Sequence, residues 1–183
     1  AYNALSYFHK AVYNQDLVLE GFKRPGKKKL KPVVLTISEV KRIATSAENL
    51  KHRLMIELAY TAGLRVSELV AVKVKHLNLE KLKMFVPGIG KFGARTTIFS
   101  QGLTDALQRQ VGNKGPDDYL FPSERGGNLT TRSVTKFFKA ALRSSGVEKE
   151  ATPHSLRQSF TAFMLAKGND KSSVKTLLGR RAL

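Results

Sequence analysis

Near the end of the 183-residue chain runs Thr152-Pro153-His154-Ser155-Leu156-Arg157. Thr152 is suited to cap a helix, and Pro153 to fill its first position, where a missing N–H costs nothing. His154 and Arg157 then stand three apart on the first turn and share a face. That turn also carries unpaired N–H groups and the positive end of the helix dipole. An imidazole able to move a proton near neutral pH and a guanidinium fork thus meet where an anion is well received. Far upstream, Thr61-Ala62-Gly63-Leu64-Arg65-Val66-Ser67-Glu68-Leu69 supplies Arg65 just past a glycine helix stop. Glu68, three residues on, can orient its guanidinium. Two forks and one imidazole are the groups needed to grip a phosphodiester. Both arginines are expected at a solvent-reachable site, where their loss harms chemistry far more than folding. Lys91, between Gly90 and Gly93, is either an ordinary solvated turn lysine or a flexible ammonium that protonates a leaving oxygen.

Positioning these groups requires a scaffold, and its elements can be read from caps and periodicity. Residues 1–14 form a helix with Ala4, Leu5, Phe8 and Val12 on one stripe. One helix cannot bury that stripe alone, so it reads as the end of a further N-terminal domain or as a partner-binding surface. A Gly- and Pro-containing stretch with Lys27, Lys28, Lys29 and Lys31 follows, either a solvated linker or one that tracks a nucleic-acid backbone. A capping box, Thr36 to Glu39, opens the main domain. Helices are expected at 37–46, 50–62 and 66–72. Residues 81–86 alternate like a half-buried strand, a turn follows at 87–90, and 95–99 form the returning strand. Helices recur at 103–111, 132–145, 153–167 and 171–178, with glycine stops at Gly146 and Gly168. The expected fold is mainly α with a small antiparallel β-sheet.

Composition narrows the partner. The chain carries 32 Lys+Arg against 14 Asp+Glu, a formal charge of +18, and that excess asks for a polyanion, most simply duplex DNA. The helix at 132–145, with Arg132 and Lys136, is the best candidate for groove contact, its alternative being a core helix with one wet face. No apolar run of about 18 residues and no signal-peptide pattern is found, which fits a cytoplasmic protein that binds no membrane. Cysteine is absent and there are four histidines, so a zinc site has poor ligands. The one adjacent acidic pair, Asp117-Asp118, falls in a loop, which argues against a metal-dependent nuclease. A phosphate site of Arg, Arg, His and Lys needs no cofactor, because its own cations neutralise the developing charge.

Five blocks in order, TAGLRVSEL, GIGKFGARTTIF, DYLFPS, TPHSLRQSF and LLGR, resemble the tyrosine recombinase/integrase family, with an Xer-like arrangement. The resemblance covers about residues 36–183. It implies the family's catalytic-domain fold at 36–183, mainly α with a small antiparallel β-sheet, a basic linker at 20–35, and a 1–19 helix left from a core-binding domain. It implies site-specific recombination: a tyrosine attacks a DNA phosphodiester, leaving a 3′-phosphotyrosyl bond and a free 5′-hydroxyl, and the working unit is a DNA-bound oligomer of protomers. On this view Arg65 and Arg157 clamp the non-bridging oxygens, Glu68 supports Arg65, His154 handles protons, and Lys91 protonates the departing oxygen. Three departures stand out. Arg180 follows LLG where the family usually has His or Trp. The turn between Lys91 and Arg95 is one residue short. The five tyrosines, Tyr2, Tyr7, Tyr13, Tyr60 and Tyr119, all precede Arg157, so the nucleophile segment is expected to lie outside this chain and the chain alone to be inactive. Arg180 and the missing tyrosine also suit a non-catalytic DNA-binding relative, and a type IB topoisomerase would use similar chemistry.

Overall fold

The structure, a computed structural model, describes residues 2–15, 32–88 and 93–179. The chain divides into two units, Ala1–Lys31 and Pro32–Leu183. In the first, α1 spans Tyr2–Tyr13, and Leu5, Phe8 and Val12 are each more than half exposed. The basic stretch with Lys27, Lys28, Lys29 and Lys31 lies outside the described residues.

The second unit begins ahead of the capping box, because Leu35 is already buried and its N–H donates to Ser159 Oγ at 2.8 Å. Thr36 caps α2 (Ile37–Thr45): its Oγ1 accepts the Glu39 N–H, while Glu39 Oε2 accepts the Thr36 N–H at 2.7 Å. Asn49 caps α3 (Leu50–Thr61), whose Leu54, Met55, Ile56, Leu58 and Ala59 are buried. That breadth of apolar surface makes α3 the central helix, packed against α2, α6 (Thr131–Ser144) and α7 (Pro153–Ala166). His52 of α3 stacks on Phe137 of α6 at 4.0 Å. The chain leaves α3 through Gly63, whose φ of +60° suits glycine. A Cβ there would stand 2.5 Å from the Phe160 ring, so the close approach of α7 also requires glycine.

A short helix, α4 (Val66–Val70), leads to a three-stranded antiparallel sheet of β1 (Leu77–Asn78), β2 (Lys83–Val86) and β3 (Arg95–Ile98), in that order. Val86 pairs with Arg95 and Met84 with Thr97, and these four face the core. Thr97 Oγ1 donates to the Ala62 carbonyl at 3.0 Å, tying β3 to the end of α3. Thr104–Val111 forms α5, and Lys171–Leu177 forms α8. A separate apolar cluster of Phe160, Val174 and Leu178 docks α8 on α7. The expected helices thus form within two residues of their expected ends, since their caps and glycine stops act locally. The two-residue β1 and the 3₁₀ turn at Val74–His76 before it are too short to show a period.

Candidate active site

The end of α3, the start of α4, the inner face of β3, the start of α7 and the end of α8 converge on one carboxylate. Arg65 is the residue before α4, in extended backbone, and Glu68 is the third residue of the helix. Glu68 Oε2 accepts the Arg65 backbone N–H at 2.7 Å, and Oε1 accepts Arg65 Nη1 at 2.6 Å. The local arrangement is a capping box whose acid also holds the capping residue's own side chain. Arg95 adds a fork: Nη1 donates to Oε1 at 2.7 Å and Nη2 to Oε2 at 2.8 Å, while Nε donates to the Leu177 carbonyl at 2.7 Å. Arg157 Nη1 donates to the Gly63 carbonyl at 2.7 Å and lies 3.5 Å from Glu68 Oε2. Its Nη2 donates to the Leu178 carbonyl at 2.5 Å.

Three guanidiniums against one carboxylate leave this group of four with a net charge of +2. Burial pushes the Glu68 carboxyl up, but hydrogen bonds from Arg95 and from the Arg65 N–H, with the Arg95 charge, outweigh it and hold its pKa at about 2. Glu68 is therefore ionised at neutral pH. Among the described residues no buried side-chain nitrogen or oxygen lacks a hydrogen-bond partner. The carbonyls of Leu177 and Leu178 belong to the C-terminal end of α8, where cations are favoured. Two arginines thus cap α8 while the same two face Glu68. Of the three side chains, Arg65 is the most open, at 19% exposure.

The sequence-based expectations fare differently. Arg65, Glu68 and Arg157 come together as expected. Arg157, however, is only 2% exposed and not at a solvent-reachable surface. His154 and Arg157 share the first turns of α7, yet His154 is exposed while Arg157 turns inward to the Gly63 and Leu178 carbonyls. The expectation that losing Arg157 leaves stability almost untouched is corrected accordingly. Lys91 and Arg180 lie outside the described residues. Tyr60 is half-buried on α3, and burial raises the pKa of its hydroxyl.

Two features are not anticipated from the sequence. Arg95 takes an inward position on β3 while Ile98 points out, the reverse of what hydropathy suggests, so alternation held no signal for it. On α6, Lys139 and Arg143 join Arg132 and Lys136 in an exposed stripe at helical spacing, opposite the buried Val134, Phe138 and Ala141. That spacing was available in the sequence. Among the described residues no group of three or more His, Asp or Glu is placed to hold a metal ion. No described helix is long and apolar enough to cross a membrane. A cavity of about 1010 Å³ opens beside α2, α3, α5 and the far half of α7, but none of the arginine group lines it.

The family model for the phage integrase family matches residues 33–182. The chain is 31% identical to tyrosine recombinase XerD of Listeria innocua, over 95% of this chain and 64% of that protein. It is 36% identical to tyrosine recombinase XerA of Pyrococcus horikoshii, over 92% of this chain and 60% of that protein. The chain thus spans about three fifths of the length of these relatives. Among solved structures, XerA recombinase superimposes with a TM-score of 0.74 at 24% identity, covering 98% of this chain and 65% of that one. A lambda integrase tetramer bound to a Holliday junction gives 0.75 at 24% identity, covering 98% and 57%. At that identity the likeness concerns the fold, a small sheet beside a bundle of helices. The family match spans nearly all of the unit that assembles the arginines around Glu68, and on it the chain belongs to the phage integrase family of tyrosine recombinases.

Proposed function

We propose that this chain is the catalytic body of a site-specific DNA recombinase, which cleaves and rejoins a DNA strand through a 3′-phosphotyrosyl intermediate. The observation that carries the reading is the buried Glu68 with Arg65, Arg95 and Arg157 around it, a preorganised +2 charge whose most open member is Arg65. Fixed cations of this kind stabilise the extra negative charge of a phosphorane-like transition state without reorganising during reaction. Arg65, the open member, brings that charge onto the non-bridging oxygens, Arg157 adds its field from beneath, and Arg180 adds a donor to them. Arg180 cannot serve as a base at neutral pH.

In the forward step a tyrosine hydroxyl attacks phosphorus and gives its proton to His154. The bond to the 5′-oxygen breaks, and Lys91 supplies the proton that makes it a hydroxyl. One phosphodiester replaces another, so the step reverses without ATP. All five tyrosines precede Arg157, so this reading assigns the nucleophile to chain outside these 183 residues. Duplex DNA and further protomers are the proposed partners, acting in the cytoplasm. The +18 charge, the Lys27–Lys31 run and the α6 stripe support binding along the phosphate backbone.

A nicked duplex carrying the protein's own recombination site traps the covalent intermediate. The natural chain, extended past Leu183 to its next tyrosine, is expected to stay attached to a 3′ end on a denaturing gel. The 183 residues alone are expected to bind the duplex without attaching. Attachment by the 183 residues would place the nucleophile among the five tyrosines and overturn the assignment. If the extended chain binds but never attaches, the protein is a non-catalytic DNA-binding relative.

A further inference from the structure

We infer that Arg95 is a positioning residue for the cleavage site: through Glu68 it sets the Arg65 guanidinium, and through the Leu177 carbonyl it fixes the end of α8 beside the same site. The inference rests on the recombinase reading and deepens it. Arg95 is itself sealed from solvent, so it acts through its two partners and not on DNA. Its three donor nitrogens divide between two elements far apart in sequence: both Nη atoms go to Glu68 on α4, and Nε goes to the end of α8.

The geometry of the fork supports the assignment. Glu68 must hold Arg65 by one oxygen and its backbone N–H by the other, and a carboxylate free to rotate would hold neither well. Arg95 bonds both oxygens at once and fixes the carboxylate plane, as planar bidentate pairs do. Packing supports it as well. At Gly179, φ is +62°, and a Cβ would lie 2.9 Å from Arg95 Cδ and 3.2 Å from Nη1. The glycine of the Leu177-Leu178-Gly179 segment thus makes room for this one side chain, and Arg180 is the next residue. The connection from β2 to β3, which contains Lys91, re-enters the described structure at Gly93, two residues before Arg95. A lysine at position 95 keeps the charge but has no fork, so charge and geometry can be separated.

The test uses the natural full-length protein with Arg95→Lys and Arg95→Met, each assayed well below its own melting temperature. Three quantities are read: affinity for the duplex carrying the recombination site, the single-turnover rate of covalent attachment, and the pH profile of that rate. Affinity is expected to stay within about threefold. Attachment is expected to slow roughly 10- to 100-fold in both variants, the scale for losing a group that orients a functional side chain. The charged groups facing Glu68 are Arg65 from the start of α4, Arg95 from β3 and Arg157 from α7; α8 faces the cluster with carbonyls. A guanidinium keeps its charge inside a protein. Arg95→Met therefore lets Glu68 gain a proton more easily, but from a pKa of about 2, and the acid limb belongs to His154 as proton acceptor, so the profile is expected to drop as a whole in both variants without moving along the pH axis. Full attachment rate in Arg95→Met overturns the inference. So does a rate loss matched by an equal loss of affinity or of folded protein, which would make Arg95 merely structural. If the wild-type protein itself never attaches, the recombinase reading fails and this inference falls with it. Attachment by wild type with no effect of Arg95 sinks the inference alone.

Discussion

Arg157 and Arg132 carry the same guanidinium, yet one is held by the Gly63 and Leu178 carbonyls and the other stands exposed on α6. Around Glu68, three arginines are fixed by a single acid and by backbone carbonyls. Along α6, Arg132, Lys136, Lys139 and Arg143 stand in solvent opposite an apolar face. Glu68, Arg95 and Arg157 have given up their water, so their geometry and their contribution to folding are inseparable. The α6 stripe keeps its hydration and contributes mostly long-range attraction. A charge surplus read from composition mixes the two kinds, and only the burial of each residue sorts them.

The widest gap between the regions should come from removing the shared acid. Glu68→Gln leaves Arg95 and Arg157 sealed without a counter-charge and is expected to cost about 3–5 kcal/mol, read by urea unfolding. A cost under about 1 kcal/mol would mean the cluster is wetter than its geometry implies. Arg157→Ala orphans the Gly63 and Leu178 carbonyls and is expected to cost a comparable amount, roughly 1–3 kcal/mol for each of the two unsatisfied groups before any relaxation. Its cleavage activity should fall by orders of magnitude in the natural protein.

Acid should separate the regions next. The pKa of Glu68 is lowered on folding, from 4.5 to about 2. Its contribution is therefore complete above the unfolded value and drains away as pH falls through the folded one. About 3 kcal/mol of stability should disappear between roughly pH 5 and pH 2. Repeating the pH series on Glu68→Gln should flatten that part of the curve. A curve of unchanged steepness would assign acid sensitivity to other carboxylates.

Gly63→Ala tests the backbone beneath the cluster. A Cβ 2.5 Å from Phe160, added at positive φ, is expected to cost about 2 kcal/mol or more. A melting temperature equal to wild type would show that α7 can retreat freely. The smallest effect on folding belongs to α6. Replacing Arg132, Lys136, Lys139 and Arg143 by Ala should each shift stability by less than about 0.5 kcal/mol. Together they should flatten the dependence of log DNA affinity on log salt, by about 0.9 for each phosphate that is no longer neutralised. An unchanged slope would remove α6 from the DNA interface.

The helices were legible because their boundaries are written locally. Thr36 with Glu39, Asn49 before Leu50, and the glycines at 63, 146 and 168 act within a few residues of themselves. The Arg65–Glu68 pair was legible for the same reason, being three residues apart. Arg95 was not, because its meaning depends on a partner 27 residues away and on the helix end that meets its Nε. The burial of Arg157 was hidden likewise: Thr152-Pro153 announces a helix start but not which carbonyls will meet the side chain. Long-range pairing of charges leaves no periodicity for a sequence to display.

That separation along the chain has a kinetic consequence. Glu68 joins Arg95 across 27 positions and Arg157 across 89, while α2, α3 and α4 follow one another directly. Contacts between sequence neighbours form early because little loop entropy stands against them. Arg95, Arg157 and Glu68 should shed their water only once β3, α7 and α8 have all arrived, on the native side of the rate-limiting barrier. Arg157→Lys should accordingly hasten the loss of the native state, raising the unfolding rate while the refolding rate stays nearly constant. A urea chevron whose refolding limb drops as far as its unfolding limb rises would instead put the cluster at the start of assembly.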